Sequence, residues 1–183
     1  MKTPVFITGN QNKADYLAKL LGMPIDHQKI ELDEIQSKDI AEVVTHKVKQ
    51  AYEIAGKPVL VEDVSLEFTA LDGLPGPFVK FFVDSQDGLE MMCRMLDGFS
   101  DRHARAECMY GYYDGERLEL FRGELDGAVA DHPRGDGGFG WDKVFCPDGY
   151  GGRTRAELNE EEYLKLYEVI KPIGKVRQFL QNL

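Results

Sequence analysis

Cysteine is scarce in this chain and does not pair by spacing: there are three, Cys93, Cys108 and Cys146. An odd, widely separated set excludes a disulfide framework, offers no CxxC metal pattern, and suits a reducing compartment. Long apolar runs are missing too. Met1-Lys2 leads straight into Val5-Phe6-Ile7 with no apolar h-region or cleavage site, so neither a signal peptide nor a membrane span is expected, and a cytoplasmic location is. Positive charge is in short supply, with 22 Lys and Arg against 32 Asp and Glu and a formal net charge of -10. That balance excludes a nucleic-acid backbone as partner, because duplex binding needs a basic surface to displace counterions. It leaves room for a small anion, since a few lysines focused with a divalent cation can hold phosphates in an acidic protein. Internal repeats, low-complexity tracts and linkers are also absent.

What is present suffices for a core. With 183 residues, 43% of them hydrophobic and 30% charged, the chain reads as one globular domain spanning 1–183. The run Pro58-Val59-Leu60-Val61 predicts a short buried strand with Glu62 and Asp63 at its end, before the turn-rich Asp72-Gly73-Leu74-Pro75-Gly76-Pro77. Adjacent carboxylates at a strand end suit a metal site facing a phosphate, while an arbitrary Glu-Asp pair more often opens a solvated loop.

Upstream, Pro4 to Thr8 reads as a strand. Tyr16, Leu17, Leu20 and Leu21 then recur at helical spacing until Gly22. The intervening turn, Thr8 to Lys13, combines helix-start N–H groups with the donors Thr8, Asn10 and Lys13, which fits a phosphate or ordinary capping. Ile25 to Ile30 predicts a second strand, followed by the acids Glu31, Asp33 and Glu34. Asp39 with Glu42 resembles a capping box for a helix closed by Gly56, with Lys47 within it.

Downstream, Leu89 to Leu96 predicts a compact helix. Ala104 to Tyr113 and Leu118 to Leu125 predict a hairpin about Asp114-Gly115, with Glu107 and Arg122 as surface cross-strand residues. Glycines crowd Arg134 to Asp142 around Trp141, the one tryptophan, as a platform for a planar base or as a buried loop anchor. A final helical region follows from Glu157, divided by Pro172.

In order, four blocks resemble the inosine triphosphate pyrophosphatase family: Thr8-Gly9-Asn10-Gln11-Asn12-Lys13; Val61-Glu62-Asp63-Val64-Ser65-Leu66; Gly73 to Phe82; and Gly138-Phe139-Gly140-Trp141-Asp142 with Phe145 and Pro147-Asp148-Gly149. The second and third are most similar to eukaryotic-type members. The resemblance implies an α/β fold, an elongated mixed β-sheet flanked by helices in two lobes with a central cleft, usually as a homodimer. It implies hydrolysis of non-standard purine nucleoside triphosphates (ITP, XTP, dITP) to a monophosphate and pyrophosphate, in nucleotide-pool sanitation. Thr8, Gly9, Asn10 and Lys13 would then hold phosphate oxygens, with Lys47 and Lys80 adding positive charge. Glu34 and Asp63 would hold Mg²⁺, or Mn²⁺ in its place, with Glu62 beside them. Asp63 would also act as base toward the attacking water, with Val64 next to it at the substrate, and Phe139, Gly140, Trp141 and Asp142 would line the base pocket.

One departure stands near the carboxyl terminus. The family pattern has Ser-His-Arg before the last helix; here Thr154-Arg155-Ala156-Glu157-Leu158 is followed by Asn159 to Pro172 without it. Those donors help to read the purine 6-oxo group, so base preference is open, and Lys165 or Lys171 is a candidate replacement donor. A non-catalytic nucleotide sensor, and a pyrophosphatase of different base specificity like the Maf-like proteins, are the competing readings.

Overall fold

The structure, a computed structural model, describes residues 3–9 and 11–183, and for Asn12 the backbone only. Asn10, expected at the phosphate turn, lies outside the described residues. The architecture is mixed α/β. Strands β1 (Val5–Ile7), β2 (His27–Gln28), β3 (Val59–Phe68), β4 (Pro75–Gly76), β5 (His103–Tyr113), β6 (Leu118–Val129) and β7 (Phe145–Pro147) form one seven-stranded sheet among the described residues. Its order is β2-β1-β3-β5-β6-β7, with β4 also paired to β3. β1 runs parallel to both β2 and β3, while β4 and β7 pair antiparallel with β3 and β6. No helix among the described residues is long and apolar enough to cross a membrane.

The chain divides into two compact units, the first formed by Met1–Asp63, Cys108–Gly123 and Lys171–Leu183, the second by Val64–Glu107 and Glu124–Ile170. In the first, helix α1 (Gln11–Leu21) follows β1, and helix α2 (Ile40–Ala55) precedes β3. The α2 boundaries follow from local chemistry. Asp39 accepts a hydrogen bond from the Ala41 N–H at 2.8 Å, and Gly56 takes the left-handed conformation that closes the last turn. Glu42 does not complete the expected capping box; its carboxylate accepts from the Ser37 hydroxyl at 2.7 Å instead.

The apolar face of α2 packs Ile40, Val44, Val48 and Ala51 on Val5 and Ile7 of β1, Val59 and Val61 of β3, and Met109 of β5. The approach is close enough that a Cβ on Gly111 would stand 2.6 Å from Val44 Cγ1. The opposite sheet face carries Phe6, paired in register with Leu60, and Tyr110, whose ring lies 6.4 Å from that of Phe6. Helix α6 (Ile173–Gln181) joins α1 through Arg177, which donates to the carbonyls of Leu20 and Leu21 at the negative end of α1.

The second unit holds helices α3 (Val79–Val83), α4 (Gly88–Arg94) and α5 (Glu160–Ile170), with the glycine-rich segment before β7. Three strand expectations are corrected. β3 does not end before Glu62: it runs to Phe68, because Leu66 and Phe68 return to the core and β4 pairs Leu66 with Gly76 and Glu67 with Pro75. Glu107 is no surface residue, since β5 is buried along almost its whole length; an exposed acid–arginine pair across β5 and β6 is Arg105 with Asp126, at 2.8 Å. The expected second strand also shrinks to the two residues of β2.

Candidate active site

Glu62 and Asp63 are consecutive in β3, and consecutive strand residues project to opposite faces. Each is accordingly met from its own side of the sheet. Asp63 follows the parity of Val59 and Val61 and meets α2: its Oδ2 accepts from the Lys47 ammonium at 2.9 Å. The same Lys47 Nζ donates to Glu34 Oε1 at 3.0 Å. Glu34 is delivered there by Gln50, three residues after Lys47 and so on the same side of α2. Gln50 Nε2 donates to Asp33 Oδ2 at 2.7 Å and its Oε1 accepts from the Asp33 backbone N–H at 2.8 Å. This two-point clamp pins the acidic segment along the helix and leaves the next residue, Glu34, at Lys47.

Burial works against the Lys47 ammonium, but the charge and hydrogen bond of Asp63, and then those of Glu34, outweigh it and hold its pKa above the ordinary value. Lys47 therefore occupies the position of a cation shared by two carboxylates. The donor set also fits a hard divalent ion, which binds oxygen and commonly takes one or two protein carboxylates while phosphates and water complete its shell. Among the described residues no group of three or more His, Cys, Asp or Glu converges as a metal cluster. A metal would thus be held by Glu34 and Asp63 together with the substrate.

Glu62 follows the parity of Leu60 and meets the other side. Its Oε1 accepts from Lys13 at 3.1 Å and from Lys171 at 2.7 Å, and its Oε2 accepts from the Tyr110 hydroxyl at 2.6 Å. Burial alone would raise the Glu62 carboxyl; the ammoniums of Lys171 and Lys13, with the hydrogen bonds of Lys171 and Tyr110, override it and hold the group far below the usual carboxylate range. Lys171 also hydrogen-bonds Cys108, whose thiol burial pushes up to about 12, so the sulfur stays neutral beside the ammonium. The expectation that Lys171 serves as a base-side donor is not what its geometry shows: it is a buried partner of Glu62. Lys165, the other candidate, lies exposed on α5.

Thr8 and Gly9 leave the carboxyl end of β1, two and three residues past the Phe6–Leu60 pair, which brings them level with Glu62 and Asp63. Ligands of open α/β sheets gather at such strand ends. Thr8 is half-buried, its N–H bonded to the Gln28 carbonyl at 3.0 Å, and Gly9 is exposed. Lys13 stands in the first turn of α1.

The remaining predicted residues belong to the second unit. Val64 follows Asp63 in β3; Lys80 is exposed on α3 and pairs with Asp84. In the glycine-rich segment, Asp142 is buried and fully engaged. Its Oδ1 meets Arg155 Nη1 at 2.8 Å, and its Oδ2 accepts from the Tyr163 hydroxyl at 2.8 Å and the Phe139 N–H at 3.0 Å. Glycine is required at 138, where φ is +67° and a Cβ would lie 2.5 Å from Asp142 Oδ2. Trp141 is buried, edge-on to Phe145, with the Arg155 guanidinium 5.6 Å from its ring centre and 4.9 Å from that of Tyr163. Phe139 is the exposed aromatic of the segment. The sequence left open a base platform or a buried anchor; in this geometry Trp141 fills the second role and Phe139 offers the open face. Arg155, Tyr163, Tyr110 and Gln50 were not singled out beforehand: a lone polar residue on a strand or helix carries no periodic signal.

Comparison with known proteins places the chain in a family. The Ham1 family model matches residues 4–170. An inosine triphosphate pyrophosphatase of Scheffersomyces stipitis is 40% identical, covering 98% of each chain. One of Emericella nidulans is 41% identical over 98% of this chain and 97% of its own. Among solved structures, a HAM1 protein from Coxiella burnetii superposes with a TM-score of 0.84 at 23% identity over 100% of both chains. The Staphylococcus aureus Ham1 protein gives 0.81 at 23% identity over 98% of this chain and 99% of its own. By sequence match across nearly its whole length, with the same fold, this chain belongs to the Ham1 family.

Proposed function

We propose that the chain is a Mg²⁺-dependent nucleoside triphosphate pyrophosphohydrolase that cleaves the anhydride between the α and β phosphates of inosine triphosphate and related 6-oxopurine nucleotides. The products are a nucleoside monophosphate and pyrophosphate, which removes non-standard bases from the nucleotide pool. The observation that carries this reading is the convergence of Glu34 and Asp63, each within 3.0 Å of one ammonium nitrogen. The names of the 40% identical relatives supply the substrate class.

When bound at Glu34 and Asp63, Mg²⁺ supplies positive charge to the phosphate oxygens and to the departing pyrophosphate. Lys47 exchanges its two carboxylates for a phosphate oxygen as substrate arrives, and so remains charge-compensated throughout. Thr8, Gly9 and Asn10 offer donors to the phosphate tail, and Lys13 adds an ammonium where leaving-group charge develops. Asp63 orients the attacking water and takes its proton. In the second unit, Phe139 offers a face to the base, Val64 borders the substrate, Gly140, Trp141 and Asp142 shape the base-binding loop, and Lys80 adds positive charge. The reading includes a cytoplasmic homodimer, checked by light scattering on the purified protein.

The test is pyrophosphate release from inosine, xanthosine, adenosine and pyrimidine triphosphates, with Mg²⁺, with Mn²⁺ and with chelator. Metal-dependent turnover favouring the 6-oxopurines, lost in Asp63→Asn, is the expected result. Nucleotide binding without turnover would convert the reading to a sensor.

A further inference from the structure

Lys171 is a buried charged residue that the proposed reaction leaves unused. It lies between α5 and α6, and its carbonyl accepts from the N–H of the buried Ile173 at 2.7 Å. Its side chain is only 8% exposed, and Glu62 only 5%, whereas Lys13 on the same carboxylate oxygen is 39% exposed. Two ammoniums thus share Oε1 of one buried carboxylate, one locked in place and one open to solvent. Lys171 is also the closer of the two, at 2.7 Å against 3.1 Å.

That asymmetry has a consequence for a lysine that must change partners. If Lys13 were the only ammonium on Glu62, drawing it toward a phosphate would leave a buried carboxylate facing a tyrosine hydroxyl with no counterion, at the large cost of an uncompensated buried charge. The carboxylate would hold Lys13 back. With Lys171 in place, Glu62 keeps a full counterion when Lys13 departs, and no buried carboxylate is left uncompensated. Tyr110, at 2.6 Å from Oε2, keeps the carboxylate itself from following.

We propose that Lys171 is a positioning residue for phosphate binding, a fixed counterion that neutralises Glu62 so that this carboxylate does not hold Lys13 back from the substrate's phosphates. The inference rests on the function proposed above for Lys13 but concerns a residue that touches no substrate.

Steady-state pyrophosphate release from inosine triphosphate separates this from a purely structural role. Lys171→Met raises KM about tenfold while kcat stays within about threefold of the parent, because Lys13 is now retained by Glu62, and Lys171→Arg restores KM to within about threefold. In Lys13→Met, adding Lys171→Met raises KM no further, since the lysine to be released is already gone. An unchanged KM in Lys171→Met, or equal and additive losses in both variants, would overturn the proposal.

Should Lys171→Met not fold, amine-reactive labelling of the parent protein followed by mass spectrometry decides the matter. With inorganic triphosphate and Mg²⁺, Lys13 becomes protected while Lys171 stays protected with and without the anion. Labelling of Lys171 in either state, or no change at Lys13, counts against the idea. A parent protein that releases no pyrophosphate from any nucleotide refutes the proposed function; a parent that turns over while Lys171→Met keeps its KM refutes this inference alone.

Discussion

Glu62 and Asp63 are neighbours in the chain and are met from different sides: Glu62 accepts from Lys13, Lys171 and Tyr110, and Asp63 from Lys47. One strand thereby places a buried, triply bonded carboxylate on one face and a more accessible carboxylate, next to a second acid, on the other. Their substitutions should fail in different ways.

Asp63→Asn is expected to abolish turnover, by roughly a thousandfold or more, while leaving the protein folded, because it removes the proposed base and a metal oxygen from a partly exposed position. Glu62→Gln strands Lys171 and is expected to cost about 3 kcal/mol of stability. Paired measurements of pyrophosphate release and urea denaturation check both. A large stability loss in Asp63→Asn, or none in Glu62→Gln, would contradict the division of labour.

Gln50 touches no candidate substrate group, yet its clamp on Asp33 at 2.7 and 2.8 Å sets where Glu34 stands. Gln50→Ala should raise the Mg²⁺ concentration needed for half-maximal activity, by about tenfold, as supporting residues around metal ligands typically do. Activity titrated against Mg²⁺ is the measurement, with Lys47→Ala as the comparison that removes the competing cation.

Asp142 and Arg155 form a buried ion pair at 2.8 Å. Asp142→Ala leaves that guanidinium uncompensated and deprives Tyr163 and the Phe139 N–H of their acceptor, so a loss of about 3–5 kcal/mol in chemical denaturation is expected. Gly138→Ala should destabilise through the same carboxylate, since its added Cβ meets Asp142 Oδ2.

The Glu157 carboxyl sits below its ordinary value of 4.5, held there first by the Thr154 backbone N–H and then by Arg134. A carboxyl whose pKa is lower folded than unfolded contributes stability that is complete above the unfolded value and is lost as pH falls through the folded one. The parent should therefore lose its advantage over Glu157→Gln as pH drops below about 4.5, the two denaturation midpoints converging in acid. Midpoints that keep a constant separation from neutral pH into acid would show that another group sets the acid limb.

Much of the fold was legible locally. Alternation and the Asp114-Gly115 turn announced β5 and β6, and Asp39 and Gly56 marked the ends of α2 within a residue. The acidic pair was legible as a place of interest but was misplaced at a strand end, because the strand's continuation depends on Leu66 and Phe68 finding a core and β4 finding its register. Glu107 was misjudged for the same reason: an acid reads as surface until both faces of its strand are covered.

From composition and periodicity alone followed an acidic chain without a disulfide framework, its strand and helix segments in order and a pair of carboxylates at positions 62 and 63; that the two face opposite ways followed only once β3 was seen to run through them. Which amines those carboxylates would meet was a matter for the tertiary structure. Lys171 reaches Glu62 across 109 residues of chain. Such a pairing depends on which helix covers each face of the sheet, a choice made by the burial of apolar side chains throughout the unit and by no short-range pattern.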